Sequence, residues 1–144
     1  MDQVISTDSA AAQVECLAVV TRFYRNLDLR DYAGIVALMT PDGIWHRQGK
    51  VLHAGPEVIA TLEQRSPTMV IVHMLTNMFA EMQGADTATV HGYMTAYRHD
   101  DGKPATGASP LTGPASMARI EVQLKRHQGA WRIANAQSTG IFKA

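Results

Sequence analysis

Cysteine is almost absent from this sequence: 144 residues hold one, Cys16. A lone thiol excludes an intrachain disulfide framework and any Cys-based zinc site. Cys16 falls within a helical pattern and reads as a buried, inert thiol rather than a nucleophile. An excess of charge of either sign is missing too, since 13 basic and 13 acidic residues leave a formal net charge of zero. No basic stripe or polybasic segment offers itself to nucleic acid or to an anionic membrane. No apolar run approaches the roughly 18 residues of a membrane span. The first residues, "MDQVISTDSA", lack the basic segment and apolar run of a secretory signal, so a cytoplasmic location is expected. Glycine-rich phosphate loops, the GxSxG elbow and HxH or HExxH spacings do not occur, so nothing calls for a nucleotide, a metal or another cofactor.

What is present is 46% apolar and 18% charged sequence, the balance of one soluble globular domain over residues 1–144. Residues 1–7 are expected to fray, with Asp8 or Ser9 capping a first helix. "AAAQVECLAVVTRFYRNLD" has no Gly or Pro, and Val14, Leu17, Ala18, Thr21, Tyr24 and Asp28 share a face at helical spacing. A short helix in "RDYAGIVALM" ends at the "TPDG" turn, a hairpin turns near Gly49, and Pro56 opens a third helix. Strand patterns then follow from 69 to 83 and 87 to 99, in "SMARIEVQLKRH", and in the closing "WRIANAQSTGIF". Helices first and strands later predict an α+β fold: a curved, mostly antiparallel sheet covered by three N-terminal helices, a cone-shaped half-barrel with a pocket inside. The stretch from Asp100 to Ser116, with three Gly and three Pro, is too long for a tight connection. A lid over the pocket, an arm gripping a neighbouring subunit and a disordered surface segment all fit it.

Within "IVHMLTN" a histidine, His73, interrupts an apolar strand. Strand alternation places it on one face with Met69, Ile71, Leu75, Asn77 and Phe79. The opposite face, with Val70, Val72, Met74, Thr76 and Met78, is apolar as well, which predicts a second subunit packed on it, as a homodimer or homotrimer through the sheet. His73 is either a satisfied core histidine or a general base, since imidazole titrates near about 6.5. A base needs an orienting carboxylate, and Asp28 at the end of the first helix is the candidate. The competing role for Asp28 is to cap the next helix, in "DLRDY".

The stretches "FYRNLDLRDYAGIVALMTPDGIWH", "GPEVIATL", "VHMLTN" and "GAWRIANAQ" together resemble the SnoaL-like branch of the nuclear transport factor 2-like superfamily, over about residues 12 to 140. The resemblance implies the same cone-shaped fold. Scytalone dehydratase and hexachlorocyclohexane dehydrochlorinase, enzymes of this superfamily, carry an aspartate at the end of the first helix and a histidine on the first long strand, acting as a dyad. By that resemblance Asp28 and His73 occupy the two positions. There are departures. Leu27 stands where scytalone dehydratase has a tyrosine, and no second pocket histidine or chloride-assisting basic residue is matched. The β subunits of ring-hydroxylating dioxygenases share the fold and resemble "HMLTN" too, in a structural role.

The expectation is therefore a cofactor-free lyase of dehydratase or dehydrohalogenase type. His73 and Asp28 would be catalytic, acting on a small hydrophobic ring-bearing molecule. Tyr24, Trp45, His46, Asn77, Phe79 and Tyr93 would contact substrate, with Trp45, Phe79, Met69 and Leu75 as apolar walls. The acid for the leaving group lies among Tyr24, Tyr93, Tyr97 and His46. A double-bond isomerase or cyclase on the same dyad, a passive binder of small molecules and a structural subunit are the alternatives.

Overall fold

In the computed structural model, which describes residues 7–144, the Ala-rich opening stretch is a helix, α1 (Thr7–Asp28). Without Gly or Pro, and with many side chains that keep their rotamer freedom, it has little to break it. Its buried stripe is Ala12, Cys16, Val20, Phe23, Tyr24 and Leu27. That corrects the expected face, because Val14 is 67% exposed and Ala18 and Thr21 are exposed as well. The run i, i+4, i+8, i+11 from Ala12 to Phe23 is the wider apolar stripe, and it takes the core. The helix is under way by Thr7, so Asp8 and Ser9 lie inside it rather than ahead of it. The expected fraying concerns residues 1–6 above all, which lie outside the described residues.

A short helix follows, α2 (Tyr32–Ala37), capped by Asp31, whose carboxylate accepts from the Gly34 N–H at 2.9 Å. Strand β1 (Met39–Arg47) takes in the "TPDG" segment that the turn signals mark as a break. Its pairing shifts register between Met39 and Ile44, so Pro41 to Gly43 form an irregular stretch within the strand. β2 (Lys50–His53) returns antiparallel, and α3 (Pro56–Glu63) starts with Pro in its first turn. Four long strands complete the chain: β3 (Val70–Met82), β4 (Thr87–His99), β5 (Ser116–His127) and β6 (Ala130–Lys143). Gln48-Gly49 and Gln128-Gly129 close two hairpins with both residues at positive φ, the turn whose twist matches that of the flanking strands.

The strands form one open sheet in the order β2-β1-β6-β5-β4-β3. Among the described residues only the β1–β6 pair is parallel. The clean alternation of β5 sends Ile120, Val122 and Leu124 inward, where they meet Val20 and Phe23 of α1 and Val90 and Ile133 of the flanking strands. Burying each such side chain contributes about 1.5–3 kcal/mol. The result is an α+β, cone-like half-barrel.

β3 carries one defect. Thr76 pairs with Tyr93 and Phe79 with His91, so Asn77 and Met78 together oppose Gly92. Asn77 adopts φ 54°, left-handed backbone that Asn tolerates better than other side chains. This bulge slips the in–out alternation by one residue. Gly92 makes room for it, since a Cβ there would lie 2.9 Å from Met78 Cγ.

The segment after β4 is irregular and largely exposed. Ser109 to Gly113 lie beside Val70, Val72 and Tyr97, on the outer face of the sheet. In this conformation the segment is not a lid over the inner cavity. Among the described residues, no helix is long and apolar enough to cross a membrane.

Candidate active site

α1 ends beside the outermost strand, β3, whose free edge would otherwise expose unpaired backbone groups. Three contacts fasten the end of α1 to β3 and to the segment that leads into it. Arg65 Nη1 donates to the Leu27 carbonyl at 3.0 Å. Arg30, in left-handed backbone at φ 61°, donates to the Ser66 and Met69 carbonyls at 2.7 and 2.9 Å. The third contact is Asp28. Its Oδ2 accepts the His73 backbone N–H at 2.9 Å, and its Oδ1 stands 2.6 Å from His73 Nδ1. The helix cap that competed for Asp28 is supplied by Asp31 instead.

The chemistry of the pair follows from its donors. An ionised carboxylate only accepts, so the Nδ1 hydrogen points at Asp28, and Nε2 keeps a lone pair. The two side chains are 10% and 11% exposed, which shields the hydrogen bond from competing water. A carboxylate at a helix C-terminus opposes the macrodipole, and two short contacts to one residue offset that cost. His73 lines a cavity of about 530 Å³, with Tyr24, Trp45 and His46 in the same wall. That volume suits a small organic molecule. The Tyr24 ring centroid lies 5.9 Å from that of His73. Burial pushes the Tyr24 phenol far above its ordinary value, so it stays protonated and available as a donor. The Cys16 thiol is fully buried and pushed up to about 11 by that burial and then by Glu15, leaving no thiolate for chemistry.

Three of the expected contact residues lie elsewhere. Asn77 sits in the β3 bulge with its side chain exposed, and beyond the bulge Phe79 turns outward, 56% exposed and stacked on His91 at 4.8 Å. Tyr93 pairs with outward-facing Thr76, while its neighbours Met94 and Ala96 line the cavity. Tyr97 is on the outer face for the same reason. Leu75 faces inward but packs into the core. Uniform alternation along β3 is what fails, and one extra residue is enough to break it.

Sequence reasoning missed the cavity's basic residues, among them Arg47 and Arg65. Lone arginines in a hairpin and after a helix look like ordinary surface residues, and only the fold brings them to one wall. An apolar wall remains in Met69, Ile71 and Met94. Among the described residues, no cluster of three His, Cys, Asp or Glu side chains could hold a metal ion.

The profile of the SnoaL-like domain family matches residues 8–137. No curated protein sequence matches the chain. A solved structure of a LinA-type3 hexachlorocyclohexane dehydrochlorinase from Novosphingobium barchaimii LL02 superposes with a TM-score of 0.77 at 14% identity, covering 95% of this chain and 91% of the other. A protein of unknown function with a cystatin-like fold from Nostoc punctiforme PCC 73102 gives 0.75 at 18% identity, covering 96% of both chains. A protein provisionally assigned as a scytalone dehydratase, from Novosphingobium aromaticivorans DSM 12444, gives 0.72 at 14%, covering 90% and 84%. At these identities the likeness is one of fold.

Proposed function

Because the chain belongs to the SnoaL-like domain family, within the nuclear transport factor 2-like superfamily, we propose that it is a cofactor-free lyase acting on a small organic molecule. The observation that carries this is the 2.6 Å contact between Asp28 Oδ1 and His73 Nδ1, made by a histidine on the cavity wall. His73 Nε2 takes a proton from a substrate carbon. The electrons of that C–H bond become the new double bond as a hydroxyl or halide departs from the adjacent carbon. Asp28 holds the ring in position and stabilises the imidazolium that forms. A departing hydroxyl leaves as water, with its proton supplied by Tyr24 or His46, the two candidate acids on the cavity wall. A halide needs no proton. The fold of the dehydrochlorinase and of the provisional dehydratase is consistent with eliminations of this kind.

The test is a screen of β-hydroxy and β-halo compounds, with product mass as the readout. Loss of water or hydrogen halide, abolished in His73→Ala, is the expected result. A product of unchanged mass would assign a double-bond shift on the same dyad. Full turnover in both His73→Ala and Asp28→Asn would refute the dyad altogether.

A further inference from the structure

The side chains that line the cavity include several cations and no carboxylate. Arg47, Arg65, Arg98 and Lys143 all line it, and no Asp or Glu does. Arg47 is half-buried, with its guanidinium 5.7 Å from the Trp45 ring centroid. Arg65 commits Nη1 to the Leu27 carbonyl and the Tyr32 hydroxyl, at 3.0 and 3.2 Å. Its Nε is buried with no hydrogen-bond partner among the described residues. Burial, and then repulsion by Arg65, hold the Arg47 guanidinium below its usual range. The ion pairs of the described residues involve neither guanidinium.

Two half-buried like charges and an unused buried donor destabilise an empty cavity. An oxyanion between them reverses each of these costs, because a guanidinium fork presents paired donors to two oxygens. The exposed Arg98 and Lys143 add a positive field that draws an anion in. Resting on the cavity's role as the substrate site, we propose that the substrate carries an oxyanion, a carboxylate or a phosphate ester, seated between Arg47 and Arg65. Its apolar body lies against Met69, Ile71 and Met94 and presents a C–H bond to His73. The expected substrate is thus an organic acid or phosphate ester, which adds a charged group to the small hydrophobic ring-bearing molecule that the sequence suggests.

Calorimetric titration of the whole protein tests this with three probes of one shape: 2-naphthoate, 2-naphthyl phosphate and the neutral 2-naphthalenemethanol. The better of the two anions is expected to bind at least about tenfold tighter than the alcohol. Whichever anion wins assigns the group as carboxylate or phosphate. Arg47→Gln removes that preference and leaves alcohol binding unchanged, with unfolding temperature checked alongside because Arg47 packs on Trp45. Arg65→Lys, which keeps the charge but loses the fork, weakens the preference only in part. Anions that bind no tighter than the alcohol, or not at all up to about 10 mM, overturn the proposal. His73→Ala keeps the preference. A chain that performs no elimination can therefore pass this test, and an active lyase indifferent to charge would fail it.

Discussion

Asp28→Asn separates the two contacts of one side chain. The carboxylate accepts two donors, the His73 backbone N–H and ring Nδ1–H, one on each oxygen. An amide has one acceptor, so whichever way it turns, an NH2 group faces a donor or forces the ring into the wrong tautomer. Turnover of an identified substrate is expected to fall by about 10²–10⁴-fold. Unfolding free energy is expected to fall by about 1–3 kcal/mol, the range for a buried donor left without a partner. Wild-type turnover in Asp28→Asn, measured beside its denaturation midpoint, would reduce the pair to a clasp between α1 and β3. Tyr24→Phe tests the acid: the ring stays packed against Phe23 at 5.2 Å, so kcat should drop for a hydroxyl leaving group and hold for a halide. At this scale the sequence was informative where chemistry and position coincide. A histidine in an apolar strand and an aspartate ending a helix both stand out against their neighbours. Arg47 and Arg65 do not, because nothing local distinguishes an arginine that a fold will half-bury from one left in solvent.

β3 shows why element boundaries were easier to read than faces. Its Val, Ile and Met content marks a strand, yet Asn77, a residue depleted in strands, was assigned to the pocket instead of to a break in the pairing. The left-handed backbone there gives a direct test. Asn77→Gly should be neutral or slightly stabilising, whereas Asn77→Val should cost about 1–2 kcal/mol in denaturant unfolding. Neither should change turnover, since the side chain faces away from the cavity; a large loss of activity in Asn77→Gly would restore it to the site. The segment after β4 makes a second case. Asp100 accepts from Thr68 Oγ1 at 2.6 Å and from the Gly102 N–H at 3.1 Å. Hydrogen bonds from Ser66 and Thr68, then from Gly102, lower its carboxyl to about 2. A carboxyl depressed in the folded state stabilises it fully above its unfolded value of about 4, and that stabilisation is lost as pH falls through about 2. Across pH 6 to 9 the tether should therefore be constant. Chymotrypsin nicking after Leu111, 81% exposed in the same segment, should be several-fold faster in Asp100→Asn, by a ratio that does not vary over that range. Equal rates would show that Asp100 does not hold the segment.

For the whole molecule, the order of elements carried the architecture: three helices ahead of four long strands leave few ways to cover a curved antiparallel sheet. The parallel β1–β6 contact was not legible, because it joins residues nearly a hundred positions apart and no local pattern encodes it. Nor was the course of the segment after β4, whose Ser109 to Gly113 lie against the outer face. That face bears on assembly. Val70, Val72 and Met74 are 37%, 47% and 50% exposed, and Phe79 extends the same surface. Leu111, in the segment beside it, is 81% exposed. Apolar side chains in a row on an open sheet are costly in water, and a specific interface of about 1,200–2,000 Å² would cover them. A second copy of this chain is the expected partner, so light scattering at micromolar concentration should give two or three times the monomer mass. Val72→Glu combined with Met74→Lys places charges in that row without touching the cavity wall, whose β3 residues are Ile71 and His73. The double variant should run as a monomer that still binds the cavity probes. A wild-type monomer at that concentration would show the face to be solvent-exposed in the working molecule.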